Sequence, residues 1–384
     1  MIFNRLSLTQ KVVLLTALGL LSGIALSWPL WYAAARTLFP LLPIVGPAYR
    51  EAAGLSLLGS SGLLLSLAAV LIFSAKKIPI IILLVCLLLL CGLDLNRLQP
   101  WVWLYGLVLA IVVFDQSSIE TRDTLRWLVA AVYIWSGFHK LTPYFAEDNF
   151  AWFCSAFRFT APFANFSVLG YGVALLEILL AFGLLWPRSR SAFRWLVLVF
   201  HGSVVLMLSP LGLNWNAVVI PWNLTLAALV WVIYAPSDAT FLPKNNAHRF
   251  LLILAGIAPL LHFAEAWPEA LSWKLYSNTQ TEATFYAPAG SFNKTMEQEA
   301  LWEANAYDHG TKMLLDDWAN AELHTPMFGT ERNFRQTALY LCGCTTQPDR
   351  AGLYLLTVQP WDRKAEQWQK IPCRELHNNL QKAK

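Results

Sequence analysis

The chain reads as a mainly α-helical protein: a polytopic transmembrane helical bundle of about nine spans, with a small C-terminal α+β domain on the extracytoplasmic side. Three observations predict this class. Of 384 residues, 57% are hydrophobic and 14% charged, and a mean hydropathy of +0.47 is too high for a soluble globular domain. The charges are unevenly placed, because residues 271–384 hold 25 of the 52 and leave 27 for the first 270. Apolar windows long enough, or nearly so, to cross about 30 Å of hydrocarbon recur along that first part. Residues 1–266 are thus expected to form the membrane region and residues 267–384 a water-soluble domain.

The windows fall at 10–32, 53–74, 78–94, 98–114, 123–141, 164–187, 191–210, 214–235 and 247–264. The third, fourth and ninth are short, so eight spans and one re-entrant or interfacial segment form the alternative. The first follows Arg5 and Lys11 as a signal peptide would. However, no small-x-small cleavage site follows, and Trp28, Trp31 and Tyr32 read as an interfacial aromatic cluster, so the helix is expected to be retained. With the N-terminus inside, eleven lysines and arginines fall on the cytoplasmic side and five on the other, Arg36, Arg97 and Lys140 among them. An odd number of spans then puts the C-terminal domain outside, in a periplasm or lumen.

Cysteine usage agrees with that placement. Cys86 and Cys91 lie within the third window, where a small apolar residue is the plain reading. Cys154, Cys342, Cys344 and Cys373 map to the outer side, where disulfides persist. Cys342 and Cys344 are too close in sequence to bridge each other without strain, so Cys373 is expected to pair with one of them, and Cys154 with the one left over. No zinc-type or CxxC spacing occurs, so no metal is expected.

Within the C-terminal domain, residues 281–287 alternate like a strand and residues 309–321 and 330–342 have helical spacing. Residues 352–358 and 367–372 read as two further strands joined by a turn through Pro360, Asp362 and Lys364. The domain has no nucleophile elbow, phosphate loop or metal motif. The net charge of +4 is dispersed and no basic run is present, which excludes a nucleic-acid surface.

Chemistry is concentrated in YIWSGFHKL, 133–141, where an apolar helix ends in His139 and Lys140. A lysine that snorkels to the interface is an anchor; one that points into the bundle is costly to keep there and marks a site. Glu177 lies deep in the sixth window, and a carboxylate there must be neutral or paired, with Lys140 or His201 as available partners. His201, midway along the seventh window, reads either as a hydrogen-bonded bundle histidine or as a catalyst. Asp94, Asn96, Arg97 and Gln99 cap the third and fourth windows, Asp94 with Arg97 as a local surface pair, and His262 and Glu265 lie near the end of the ninth. A cavity with aromatic walls and a few ionisable groups suits an isoprenoid quinone, which needs an apolar path for its tail and an acid or base for its ring oxygens. The alternative is that these groups only tie the bundle together.

The residues Ser136, Gly137, Phe138, His139, Lys140 and Leu141, followed by Phe145, Trp152 and Phe153, resemble the catalytic-lysine segment of the vitamin K-dependent γ-carboxylases and their bacterial relatives, the horizontally transferred transmembrane (HTTM) family. WLYGL at 103–107 and the FHGSVVLML…IPWNLTLAAL stretch from 200 to 229 are similar to that family's tyrosine-glycine-leucine and histidine-bearing helices. DLNRLQPW together with SGFHKL is similar as well to the DoxX/MauE-type redox-associated membrane proteins. The resemblance covers about the central third of the chain. It implies a quinone or menaquinone-type lipid as cofactor and Lys140 as base. With the charges above, it makes Lys140, His201 and Glu177 the catalytic candidates and His139, Ser136, Trp101, Arg97 and Trp222 the cofactor-binding ones. Trp101 stands where the carboxylases carry an assisting histidine, and the C-terminal domain is far smaller than theirs. A γ-carboxylase-like enzyme, a redox-associated component without carboxylation, and a scaffold presenting the outer domain to a protein partner therefore all follow from the sequence. The expected setting is a bacterial inner membrane.

Overall fold

A computed structural model describes residues 5–50, 53–74, 76–115, 117–235, 238–277, 279–293, 296, 302–305 and 310–376. The chain is mainly helical with a small antiparallel sheet, and it divides into two compact units. The first comprises Met1–Leu26, Ser61–Leu88 and Gln99–Asn278, and the second comprises Ser27–Ser60, Leu89–Leu98 and Thr279–Lys384.

Helices occupy all nine apolar windows: α1 (Leu8–Leu26), α2 (Ala53–Ile72), α3 (Lys77–Leu93), α4 (Pro100–Val113), α5 (Ser118–His139), α6 (Ser167–Leu185), α7 (Arg190–Leu208), α8 (Val219–Ile233) and α9 (Asn246–Gly256). Among the described residues, four stretches are long and apolar enough to cross a membrane: α1, α6, α7, and α9 with its continuation to Ala264. Leu57–Ile72, α3, α4 and α8 are apolar but shorter. The expectation of nine full spans is therefore not supported. Local chemistry shortens several of them. The first window breaks at Ser27, where a separate turn Trp28–Trp31 begins with proline in its first positions. That turn buries Trp31 completely, so Trp31 does not belong to an exposed interfacial cluster. Helix α4 likewise begins at Pro100, which lacks the N–H that a preceding turn would need.

Helix α5 runs 22 residues, but its first turns carry Glu120, Arg122, Asp123 and Arg126. These charges are tied down locally. Arg126 Nε donates to the Ile233 carbonyl at 2.9 Å and its Nη1 meets Asp123 at 3.2 Å, while the Tyr234 hydroxyl donates to the Arg126 carbonyl at 2.5 Å. A guanidinium so placed caps the end of α8 as well as pairing with an acid. The opposite end of α5 packs along α6.

The second unit holds a five-stranded antiparallel sheet in the order β2-β3-β1-β4-β5, with β1 Glu282–Pro288, β2 Glu303–Asn305, β3 Gly310–Leu314, β4 Gly352–Gln359 and β5 Asp362–Pro372. Two helices accompany it, α10 (Leu315–Leu323) and α11 (Glu331–Cys344), the latter capped by Thr330 accepting from the Asn333 amide. The first helix expected in this domain thus begins at Leu315. Residue 309 lies outside the described residues, and 310–314 pair as a strand with β1. Cys342 is joined to Cys373, linking α11 to the residue just past β5. Cys344 and Cys154 are both free, so neither enters the bridge for which they were candidates.

The segments before Ser60 and around Asp94 are integral to this unit. Glu322 on α10 accepts from the amides of Leu38 and Phe39 at 2.8 and 2.9 Å, and the Asn96 side chain accepts from the Phe328 amide at 3.0 Å. Asp94 pairs with Arg36 at 2.5 Å, both fully or almost fully buried, instead of making the expected surface pair with Arg97.

Candidate functional site

The end of α5 sets the geometry. Tyr133, Ser136, Gly137 and Lys140 recur at helical spacing and share one face. Helix α6 comes unusually close there. A Cβ on Gly137 would stand 2.6 Å from the Ala174 carbonyl oxygen and 2.8 Å from Ile178 Cγ1, distances that no side chain tolerates. Glycine is what brings the two backbones together, as small residues do between membrane helices. Glu177, one turn along α6 from Ala174, is thereby delivered to Lys140.

The contact is a buried ion pair. Lys140 Nζ lies 2.8 Å from Glu177 Oε2 and 3.0 Å from Oε1, and donates to Ser136 Oγ at 2.6 Å. Lys140 and Glu177 are each 5% exposed. The Phe145 ring stands 5.8 Å from the ammonium. Lys140 is therefore no snorkelling anchor: its head group is turned into the bundle, and three acceptor oxygens satisfy its three protons.

His201 does not join the pair. Its Nε2 lies 2.6 Å from the Tyr133 hydroxyl and its Nδ1 lies 2.7 Å from Asn223 Oδ1. Asn223 Nδ2 donates to the Val219 carbonyl at 2.8 Å, which turns the amide oxygen toward the ring. The network is satisfied when His201 carries its proton on Nδ1 and Nε2 accepts from Tyr133. Tyr133 sits one turn before Ser136, so the two hydrogen-bonded groups lie successively along the same face of α5.

The remaining candidates lie elsewhere. His139, one position before Lys140, points about 100° away around the helix. It meets His262 at 5.5 Å and Phe263 at 5.7 Å between ring centroids. Trp222 is buried beside Asn223 on α8. Trp101 packs on α1, its ring occupying the space that Gly23 leaves open. Arg97 belongs to the second unit, where its guanidinium donates to the carbonyls of Leu30 at 3.0 Å and Leu90 at 3.1 Å. There it clamps backbone oxygens.

Three participants were not singled out by the sequence: Tyr133, Asn223 and Phe145 as a site wall. Tyr133 had a usable signal, since it falls seven residues before Lys140 on the same stripe. The pairing of Asn223 with His201 had none, because it depends on how α7 meets α8. Among the described residues no cluster of three or more metal-ligating side chains occurs. No known family model matches this sequence, and no curated protein or solved structure matches it either.

Proposed function

We propose that this protein is a membrane enzyme acting on a quinol, with Lys140 as the base and Glu177 as its proton partner. The observation that carries the reading is the Lys140–Glu177 pair, buried at 2.8 Å where Gly137 lets two apolar helices touch. The donor set suits such a ligand: an amine and a carboxylate to exchange a phenolic proton, the Ser136 hydroxyl beside them, and the Phe145 ring as an aromatic wall. When bound, the quinol supplies the redox chemistry. Glu177 takes the ammonium proton and frees the amine, Lys140 removes the phenolic proton, and Ser136 holds the amine in place.

The topology that goes with this reading has the N-terminus in the cytoplasm, with the C-terminal domain periplasmic in a bacterial inner membrane. It rests on the distribution of lysine and arginine. A second reading, a DoxX/MauE-like redox component that carboxylates nothing, is favoured by Trp101. That residue fills a groove on α1 and offers no imidazole to the lysine.

Reconstitution with menaquinol in aerated liposomes, with dioxygen as the electron acceptor and protein-free liposomes as the blank, followed by mass spectrometry of the quinone pool, tests the reading. Lys140→Ala and Lys140→Arg are both expected to abolish turnover, since a guanidinium cannot serve as a base. Incorporation of ¹⁴CO₂ distinguishes carboxylation from redox work alone. Wild-type levels of quinol turnover in Lys140→Ala sink the role of Lys140 as base, and absence of turnover in the wild type leaves the scaffold reading.

A further inference from the structure

His139 faces a second cluster within the first unit, built from the end of α5, α4 and residues 257–274. The His139 ring is 95% buried, and its Nε2 has no hydrogen-bond partner. The indole Nε1 atoms of Trp103 and Trp267 are likewise buried and unpartnered, and the two indoles stand 6.5 Å apart between centroids. A chain of contacts joins these residues. His139 lies 5.5 Å from His262, the His262 ring bonds the Trp267 backbone, and Lys274 is close enough to act electrostatically on both histidines. Native folds rarely leave buried donors without acceptors, and two such indole N–H groups, with an imidazole nitrogen whose ring already bonds the Ser272 backbone, call for a polar group.

The charge and the surroundings narrow that group. An indole N–H only donates, so the missing partner is an acceptor. Lys274 supplies a cation, held 2.9 Å from Glu269 Oε1 with its side chain 3% exposed. Burial pushes the Glu269 carboxyl above its ordinary range, against the pull of Lys274. The exposed acid nearby, Glu265, ends the helical stretch and faces out. Beside the donors runs an apolar strip, with Ile257, Leu260 and Leu261 about half exposed and Phe138 exposed as well. Phe263, 44% exposed, stacks over the His139 ring.

We propose that Trp103, Trp267 and Lys274 seat a phosphate-ester group beside His139, with the strip along 257–263 taking acyl chains when that group belongs to a phospholipid. The seat lies on the other side of α5 from the Lys140–Glu177 pair and does not depend on the quinol reading.

Native mass spectrometry of the full chain, extracted from nanodiscs of phosphatidylglycerol and phosphatidylethanolamine, reads the lipid arm. One phospholipid is expected to stay bound, and Trp103→Phe with Trp267→Phe should lower its retention about tenfold, the effect of losing charge-assisted hydrogen bonds. Titration with inorganic phosphate, followed by tryptophan emission, reads the other arm. A response to phosphate without lipid retention assigns the seat to a free phosphate. Should the double variant fold poorly, Lys274→Gln is expected to weaken the same binding. The proposal is overturned if neither ligand binds, or if binding is the same in wild type and in the variants that fold.

Discussion

Two buried ion pairs, one in each unit, make an instructive contrast. Arg36 and Asp94 meet at 2.5 Å, and Lys140 and Glu177 meet at 2.8 Å, all four side chains being 7% exposed or less. Around the first, the guanidinium also donates to the carbonyls of Pro29 at 2.9 Å, Leu30 at 2.7 Å and Pro40 at 3.3 Å. Asp94 in turn accepts from the amides of Leu42 and Asn96. Around the second, the partners are side chains, Ser136 Oγ above all, with one carbonyl at 3.4 Å. The first pair is woven into the backbone through a planar guanidinium; the second is held mostly by side-chain atoms, which can turn away. Burial alone does not mark a site. What surrounds the charge does.

Breaking the first pair has the largest expected effect. Arg36→Ala leaves a buried carboxylate and several carbonyls unpaired, at a cost of about 3–5 kcal/mol, seen as lost protease resistance in the second unit. Replacing Lys140 and Glu177 together by Met and Leu should instead be near neutral for thermal stability, because an isosteric apolar pair avoids the desolvation penalty. If Arg36→Met with Asp94→Leu were tolerated equally well, the contrast would collapse.

The disulfide comes next. It closes a sequence separation of 31 residues, and removing it by Cys342→Ser with Cys373→Ser is expected to cost about 3–4 kcal/mol in denaturant unfolding. Alkylation of the unreduced, unfolded chain should label four thiols, Cys86, Cys91, Cys154 and Cys344. Labelling of Cys342 or Cys373 would contradict the pairing.

A smaller effect is expected at Gly137. Gly137→Ala forces α5 from α6 and should cost about 1–3 kcal/mol in thermal melting, with quinol turnover falling more steeply than stability because Glu177 is drawn away from Lys140. Equal loss of both would make Gly137 a packing residue only.

The smallest effect belongs to the sheet domain. Burial raises the Glu282 carboxyl, with Asp317 and Glu366 adding to it, and burial with Glu303 raises Asp317. The folded chain then binds these protons more tightly than the unfolded one, so stability is lower at neutral pH. It rises as pH falls through the raised values and levels off below the ordinary value of 4.5 for glutamate. Glu282→Gln should raise the melting temperature slightly at pH 7 and flatten the profile.

Much of this arrangement was legible in the sequence, but unevenly. The apolar windows located α1 to α9, because burial of a continuous apolar run leaves the backbone little else to do. Lys140 with Glu177 was legible because a carboxylate deep in an apolar helix requires a partner and few were on offer. Arg97 was misjudged for the opposite reason: its partners are carbonyls of Leu30 and Leu90, and backbone acceptors leave no mark in a sequence. Residues 310–314, GTKML, show why short apolar segments mislead. Their spacing suits a helix, and pairing with β1 decides for a strand.

The second unit is assembled from three stretches of chain, two of which are made long before the third. During synthesis the amides of Leu38 and Phe39 must wait for Glu322, and Asn96 for the backbone at Phe328, separations of 284, 283 and 232 residues. Until the last hundred or so residues leave the ribosome, the early segments lack the partners that complete their fold. A truncation there would not remove an appendage. It would orphan polar groups made at the start of translation, and quality-control proteases would see the result as an unfinished protein.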